Sequence, residues 1–192
     1  MSFKNDQVSR EETEKIIALA REMLPCEGDF VELGCYRGDT SLALAEIIQN
    51  NVNHKLWIYD SFEGLPDKSD YDESVIGVDF KKGELLVTKR EVKERFLRAG
   101  FKLPVIKKAW FSELKDEDLP EKIALAFLDG DFYDSIRDSL RLVESKMVRG
   151  GLIVVHDYDN EALPGVRKAV DEWLGGHSFN LERFKSLAII NC

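Results

Sequence analysis

Asp29-Phe-Val-Glu-Leu-Gly-Cys-Tyr-Arg-Gly-Asp-Thr-Ser-Leu-Ala-Leu-Ala-Glu-Ile-Ile48 is the stretch whose reading decides the fold. Phe30 to Leu33 is a short apolar run carrying one charge, Glu32. Gly34 and Gly38 follow, and a helical pattern starts near Thr40. Strand, glycine turn and helix in that order open a βαβ unit, in which a ligand sits above the carboxyl end of the strand. Gly34 permits a tight turn with backbone close to the ligand, and Gly38 lets the helix begin near the strand. The free N–H groups of the first helical turn favour an anionic group.

The spacing narrows the ligand. Neither Gly-x-Gly-x-x-Gly nor Gly-Lys-Ser/Thr is present, which counts against a dinucleotide or a P-loop phosphate. The pattern is Glu-x-Gly-x-x-x-Gly, from Glu32 to Gly38. A carboxylate there repels a pyrophosphate and suits an ammonium or a sulfonium. S-adenosylmethionine carries both, plus a carboxylate for the helix N-terminus. Without Glu32, the two glycines mean no more than a tight turn.

With 192 residues and 44% hydrophobic content, the chain can bury one α/β core, and a single domain over 1–192 is expected. Its net charge of −9 argues against nucleic acid or an anionic membrane as partner. Cys26, Cys35 and Cys192 are odd in number and form no Cys-x-x-Cys pair, so a disulfide framework or zinc site is not expected. A reducing cytoplasm is the expected setting. The polar start, Met-Ser-Phe-Lys-Asn-Asp-Gln, reads as carrying no leader, and no apolar run is long enough for a membrane span.

Residues 10–24 read as an amphipathic helix with Ile16, Leu19, Ala20 and Met23 on one face. Lys55–Tyr59 is a second strand ending at Asp60, where a carboxylate can accept hydrogen bonds from ribose hydroxyls. Residues 61–87 form a long polar loop, the candidate lid over the acceptor. Thr88 with Glu91 makes a capping box for a helix ending at Gly100. Strands are expected at 103–107, 123–128 and 150–155, helices from about Tyr133 to Lys146 and Pro164 to Trp173, and an antiparallel closing pair at 179–184 and 187–191. Trp110-Phe111 follow a strand and either pack on an adenine or serve as core.

Glu32, Asp60, Asp129 and His156-Asp157 each close a separate apolar strand. In an open parallel sheet those ends share one edge, so five ionisable groups are expected in one cleft. Asp129, His156 and Asp157 could together hold a divalent ion, Mg²⁺ or Mn²⁺, and lower the pKa of an acceptor hydroxyl. Alternatively His156 is itself the general base, or it only bonds a neighbouring loop.

Asp60-Ser-Phe-Glu-Gly-Leu-Pro66, Phe127-Leu-Asp-Gly-Asp-Phe-Tyr-Asp-Ser135, Gly150-Gly-Leu-Ile-Val-Val-His-Asp-Tyr158, Pro164-Gly-Val-Arg-Lys-Ala-Val170 and Trp110-Phe111 together resemble the macrocin O-methyltransferase (TylF-type) family, over roughly residues 28–175. The resemblance implies a Rossmann-like class I methyltransferase with a mostly parallel seven-stranded sheet, order 3-2-1-4-5-7-6, using S-adenosylmethionine. It implies methylation of a sugar hydroxyl with a divalent metal. Cofactor contacts are then expected from Glu32, Gly34, Tyr36, Gly38, Thr40, Ser41, Asp60, Ser61, Trp110, Phe111 and Asp129. Asp129 matches the first metal aspartate, while His156-Asp157 stand where the family has Asp-Asp. The expected partner is a small-molecule acceptor, with a homo-oligomer left open. A cofactor-binding subunit without transferase activity and a nicotinamide-dependent oxidoreductase are the other readings.

Overall fold

The computed structural model describes residues 7–192. The stretch 1–6, most of the polar start read above as carrying no leader, lies outside them. In chain order the elements are α1 (Arg10–Glu22), β1 (Asp29–Leu33), α2 (Asp39–Ile48), β2 (Leu56–Asp60), α3 (Lys89–Ala99), β3 (Val105–Lys108), β4 (Ile123–Leu128), α4 (Tyr133–Glu144), β5 (Met147–Val155), α5 (Pro164–Leu174), β6 (Asn180–Phe184) and β7 (Leu187–Asn191). One seven-stranded sheet runs β3-β2-β1-β4-β5-β7-β6. Its first five strands are parallel, and β7 pairs antiparallel with both β5 and β6. The expected strand order is therefore the observed one.

Strand alternation feeds two cores. Phe30, Ile58, Leu125, Phe127 and Val154 point into one layer with Ile16 of α1, Leu44 of α2 and Phe96 of α3. Val31, Leu33, Ala126, Leu128 and Val155 point into the other with Ile136 and Leu140 of α4 and Val166 of α5. Burial on both faces is why β4 reads as an unbroken apolar run.

The helix ends follow local chemistry. Ser9 and Glu12 form a reciprocal capping box on α1. The other Glu12 oxygen accepts from Ser186 N–H and Oγ, fastening α1 to the β6–β7 turn. Burial raises the Glu12 pKa, but the Ser186 and Ser9 hydrogen bonds outweigh it and hold the carboxyl below the usual range. Thr88 and Glu91 cap α3 as read, and Gly100 closes it with φ 76°.

Most boundaries fall within two residues of the sequence reading, β3 for example at Val105–Lys108 instead of 103–107, but two segments differ in kind. β5 begins at Met147 rather than Gly150, because Met147 pairs with Ile123 while Leu152 pairs with Leu125, and the residues between them bulge. Residues 61–87 are not featureless: a 3₁₀ turn at Asp70–Asp72 is capped by Ser69 and pinned by the fully buried Asp72. No helix among the described residues is long and apolar enough to cross a membrane.

Candidate functional site

The carboxyl ends of β1, β2, β4 and β5 open into one cleft, lined by Gly34, Asp60, Asp129 and His156. Gly34 makes its floor possible. Its φ is 91°, and a Cβ there would overlap the carbonyl oxygen of Asp129, so β1 and β4 can approach this closely only without a side chain. Gly34 N–H donates to Tyr59 O and Asp129 N–H to Leu33 O, which ties three strand ends together.

Asp60 organises the β1–β2 side of the cleft. Its Oδ2 accepts from Cys35 N–H at 2.9 Å and Tyr36 N–H at 3.3 Å, and its Oδ1 accepts from Phe62 N–H at 2.7 Å. The carboxylate thus fixes the turn after β1 and the turn after β2, where Tyr36 (φ 44°) and Phe62 (φ 52°) are held left-handed. Oδ2 is filled by its two donors, while Oδ1, with one, keeps acceptor capacity for a ligand hydroxyl. Ser61 Oγ donates to Gly64 O and accepts from Glu63 N–H, which shapes the start of the 61–87 loop. Tyr36, Trp110 and Phe111 supply aromatic walls.

On the other side, His156 Nδ1 lies 3.1 Å from Asp129 Oδ1 and 3.0 Å from Asp157 Oδ2. Burial pushes the His156 pKa down. The charges of Asp129 and Asp157 and their hydrogen bonds outweigh it and favour the imidazolium. Asp157 sits at φ 61°, and its Oδ1 accepts from Asn160 Nδ2 at 2.8 Å. One donor atom from each of Asp129, His156 and Asp157 falls within 4.8 Å of the others, a spacing one divalent ion could bridge.

Of the five ionisable groups expected in the cleft, Asp60, Asp129, His156 and Asp157 line it and Glu32 does not. Glu32 is buried, with one oxygen accepting from Ser41 Oγ. Its Oε1 is a buried oxygen with no hydrogen-bond partner. Burial first, then the charges of Asp129 and Asp60, push its pKa up to about 8 against the lowering effect of Ser41. Gly38, Thr40 and Ser41 also fall outside the cleft lining. The reason is that α2 begins against α3: Arg95 donates to Arg37 O and forms an ion pair with Asp39 in the first turn.

Asp131 was not among the expected site residues, yet it lines the cleft at φ 61°. Burial, then Asp129 and Asp157, hold its carboxyl well above the usual range. Its signal was the repeated aspartate in Asp129-Gly-Asp131, two residues past a strand end. Gln7 and the loop residues Leu65, Pro66 and Leu85 complete the mouth. His54 and His177 bond backbone carbonyls outside the cleft.

Residues 10–183 match the macrocin-O-methyltransferase (TylF) family. The chain belongs to that family. It is 27% identical over 160 residues to the Streptomyces olivaceus 8-demethyl-8-(2,3-dimethoxy-alpha-L-rhamnosyl)-tetracenomycin-C 4'-O-methyltransferase, covering 80% of this chain and 60% of that protein. It is 28% identical over 153 residues to the Streptomyces niveus demethyldecarbamoylnovobiocin O-methyltransferase, covering 76% and 58%. The chain therefore spans about three fifths of the length of these relatives. Among solved structures, the O-methyltransferase NovP superposes with a TM-score of 0.81 at 23% identity, covering 93% of this chain and 78% of that one. A calicheamicin methyltransferase superposes at 0.78 and 20%, covering 96% and 80%. These likenesses establish the class I methyltransferase fold.

Proposed function

We propose that the chain is an S-adenosylmethionine-dependent O-methyltransferase acting on a hydroxyl of a small acceptor, a sugar or glycosylated metabolite. The observation that carries this reading is the convergence in one cleft of Asp60, the Trp110–Phe111 wall and the Asp129–His156–Asp157 cluster. The relatives' names, both O-methyltransferases and one acting on a rhamnosyl-bearing metabolite, support it. When bound, the cofactor supplies an electrophilic methyl group on its sulfonium.

The residues of the chain then position and deprotonate. Asp60 takes a ribose hydroxyl, its geometry set in advance by three backbone N–H donors. Trp110 and Phe111 flank the adenine. The carboxylates of Asp129 and Asp157 receive the acceptor proton, because His156 already favours its charged form and has no free lone pair to offer. The cluster also fits a divalent ion. Asp129, Asp157 and a neutral His156 would hold Mg²⁺ or Mn²⁺, with the imidazole tilting the preference toward Mn²⁺.

The test is formation of S-adenosylhomocysteine from S-adenosylmethionine with a panel of sugar nucleotides and glycosides. Transfer to at least one hydroxylated acceptor is expected, falling by about 100-fold or more in Asp157→Ala. Intact cofactor binding with no transfer to any of them would contradict the reading.

A further inference from the structure

The 61–87 loop is fastened to the rest of the molecule at one buried carboxylate. Asp72 is fully buried although its neighbours Asp70 and Glu73 are not. Its Oδ2 accepts from Ser69 N–H at 2.8 Å and Ser69 Oγ at 2.7 Å, closing the 3₁₀ turn. Its Oδ1 accepts from Tyr133 N–H at 2.8 Å, the first residue of α4. A Cβ on Gly165, in the first turn of α5, would overlap that same oxygen. Asp72 therefore lies between the N-termini of α4 and α5.

Neither helix has a side-chain cap of its own. Phe132 precedes α4 and Leu163 precedes α5, and neither can accept a hydrogen bond through its side chain. The borrowed carboxylate satisfies an exposed helix-end donor and complements the dipoles of both helices. Tyr71 adds a second tie: its ring lies 4.6 Å from that of Tyr133, and Lys168 Nζ of α5 lies 4.4 Å above it.

What these helices follow gives the contact its meaning. The β4–α4 connection carries Asp129 and Asp131, and the β5–α5 connection carries His156 and Asp157. We propose that Asp72 is a positioning residue that docks the 61–87 loop onto the helix starts that follow both connections, so that the cleft, which loop residues Ser61, Leu65 and Leu85 line beside Asp60 and Asp129, is assembled only while the loop is seated. This rests on the methyltransferase reading for its consequence, though not for the contact itself. Asp72 does not line the cleft and acts through Tyr133, Gly165 and the loop.

The test compares Asp72→Ala and Asp72→Asn with wild type, using Asp70→Ala as the exposed control. Hydrogen exchange is followed by mass spectrometry, and S-adenosylhomocysteine is titrated at a temperature where each variant is folded. In Asp72→Ala, exchange in segments 61–87, 129–136 and 157–166 is expected to speed up about tenfold or more, with α2 and α3 unchanged. The same variant is expected to bind S-adenosylhomocysteine about fivefold more weakly or worse. Asn keeps one oxygen for Tyr133 N–H and loses an acceptor for Ser69, so Asp72→Asn should recover affinity to within about twofold and leave only the 69–72 turn faster.

Wild-type-like exchange in those three segments overturns the proposal. So does a uniform acceleration with unchanged affinity, which is what a purely structural role would give. If Asp72→Ala does not fold, Asp72→Asn decides: protection kept at Tyr133 but lost at the 69–72 turn supports the proposal, and no change at either overturns it. If wild type binds no S-adenosylhomocysteine, the methyltransferase reading fails and the exchange pattern alone decides the role of Asp72. Gly165→Ala crowds the same oxygen and should reproduce Asp72→Ala; indifference to it counts against the proposal.

Discussion

Asp60 Oδ2 accepts a hydrogen bond from Cys35 N–H at 2.9 Å, joining the end of β2 to the turn that follows β1. The contact orders the left-handed Tyr36 turn before any ligand arrives, so the entropy of fixing it is not charged against binding. Replacing Asp60 with Ala removes a charged acceptor and frees three backbone donors. S-adenosylhomocysteine affinity is expected to fall by about tenfold or more, read by calorimetric titration.

Gly34→Ala should be far more harmful than an ordinary turn substitution. It combines a φ of 91° with overlap onto the Asp129 carbonyl, which is backbone and cannot move without separating β1 from β4. A loss of about 3 kcal/mol or more is expected in urea unfolding.

Glu32 gives the unliganded protein a pH dependence of definite sign. Its carboxyl is held up at about 8 in the folded chain and returns to about 4.5 when unfolded. Between those values the native state binds one more proton than the unfolded state, so this group makes stability fall as pH rises and has no further effect above about 8. Glu32→Gln removes the slope. Its melting temperature should exceed that of wild type at pH 8, with the advantage shrinking toward pH 5. A wild-type advantage that grows with pH would show that Glu32 is ionised and compensated.

Mn²⁺ added to wild type should bind at the His156 cluster and lose its site in Asp129→Ala or Asp157→Ala, as followed by the electron paramagnetic resonance of free Mn²⁺. Binding should also weaken as pH falls, because His156 must shed its proton to ligate. Equal Mn²⁺ binding by all three proteins would leave the cluster to proton transfer alone.

Much of this was legible in the sequence, for a physical reason. Strands buried on both faces must be apolar throughout, so Ile123–Leu128 and Leu187–Asn191 could be bounded to the residue, and the polar residues that close the parallel strands β2, β4 and β5 mark the cleft edge. Thr88 with Glu91 was equally plain, because a capping box is a local device. The failures are all non-local. Glu32 ends its strand like Asp60, but whether such a carboxylate faces the cleft or the interior depends on Ser41 nine residues on. The bulge in β5 depends on its pairing with β4. Asp72 is one acid among several in a polar loop, and only Tyr133 and Gly165, brought to it by the fold, single it out.

The most direct test of the central claim is calorimetric titration of wild type and Asp60→Ala with S-adenosylhomocysteine. Micromolar binding by wild type, weakened about tenfold or more in Asp60→Ala, is the predicted result. No binding by wild type, or equal binding by the two proteins, would contradict the assignment of this cleft to the methyl donor.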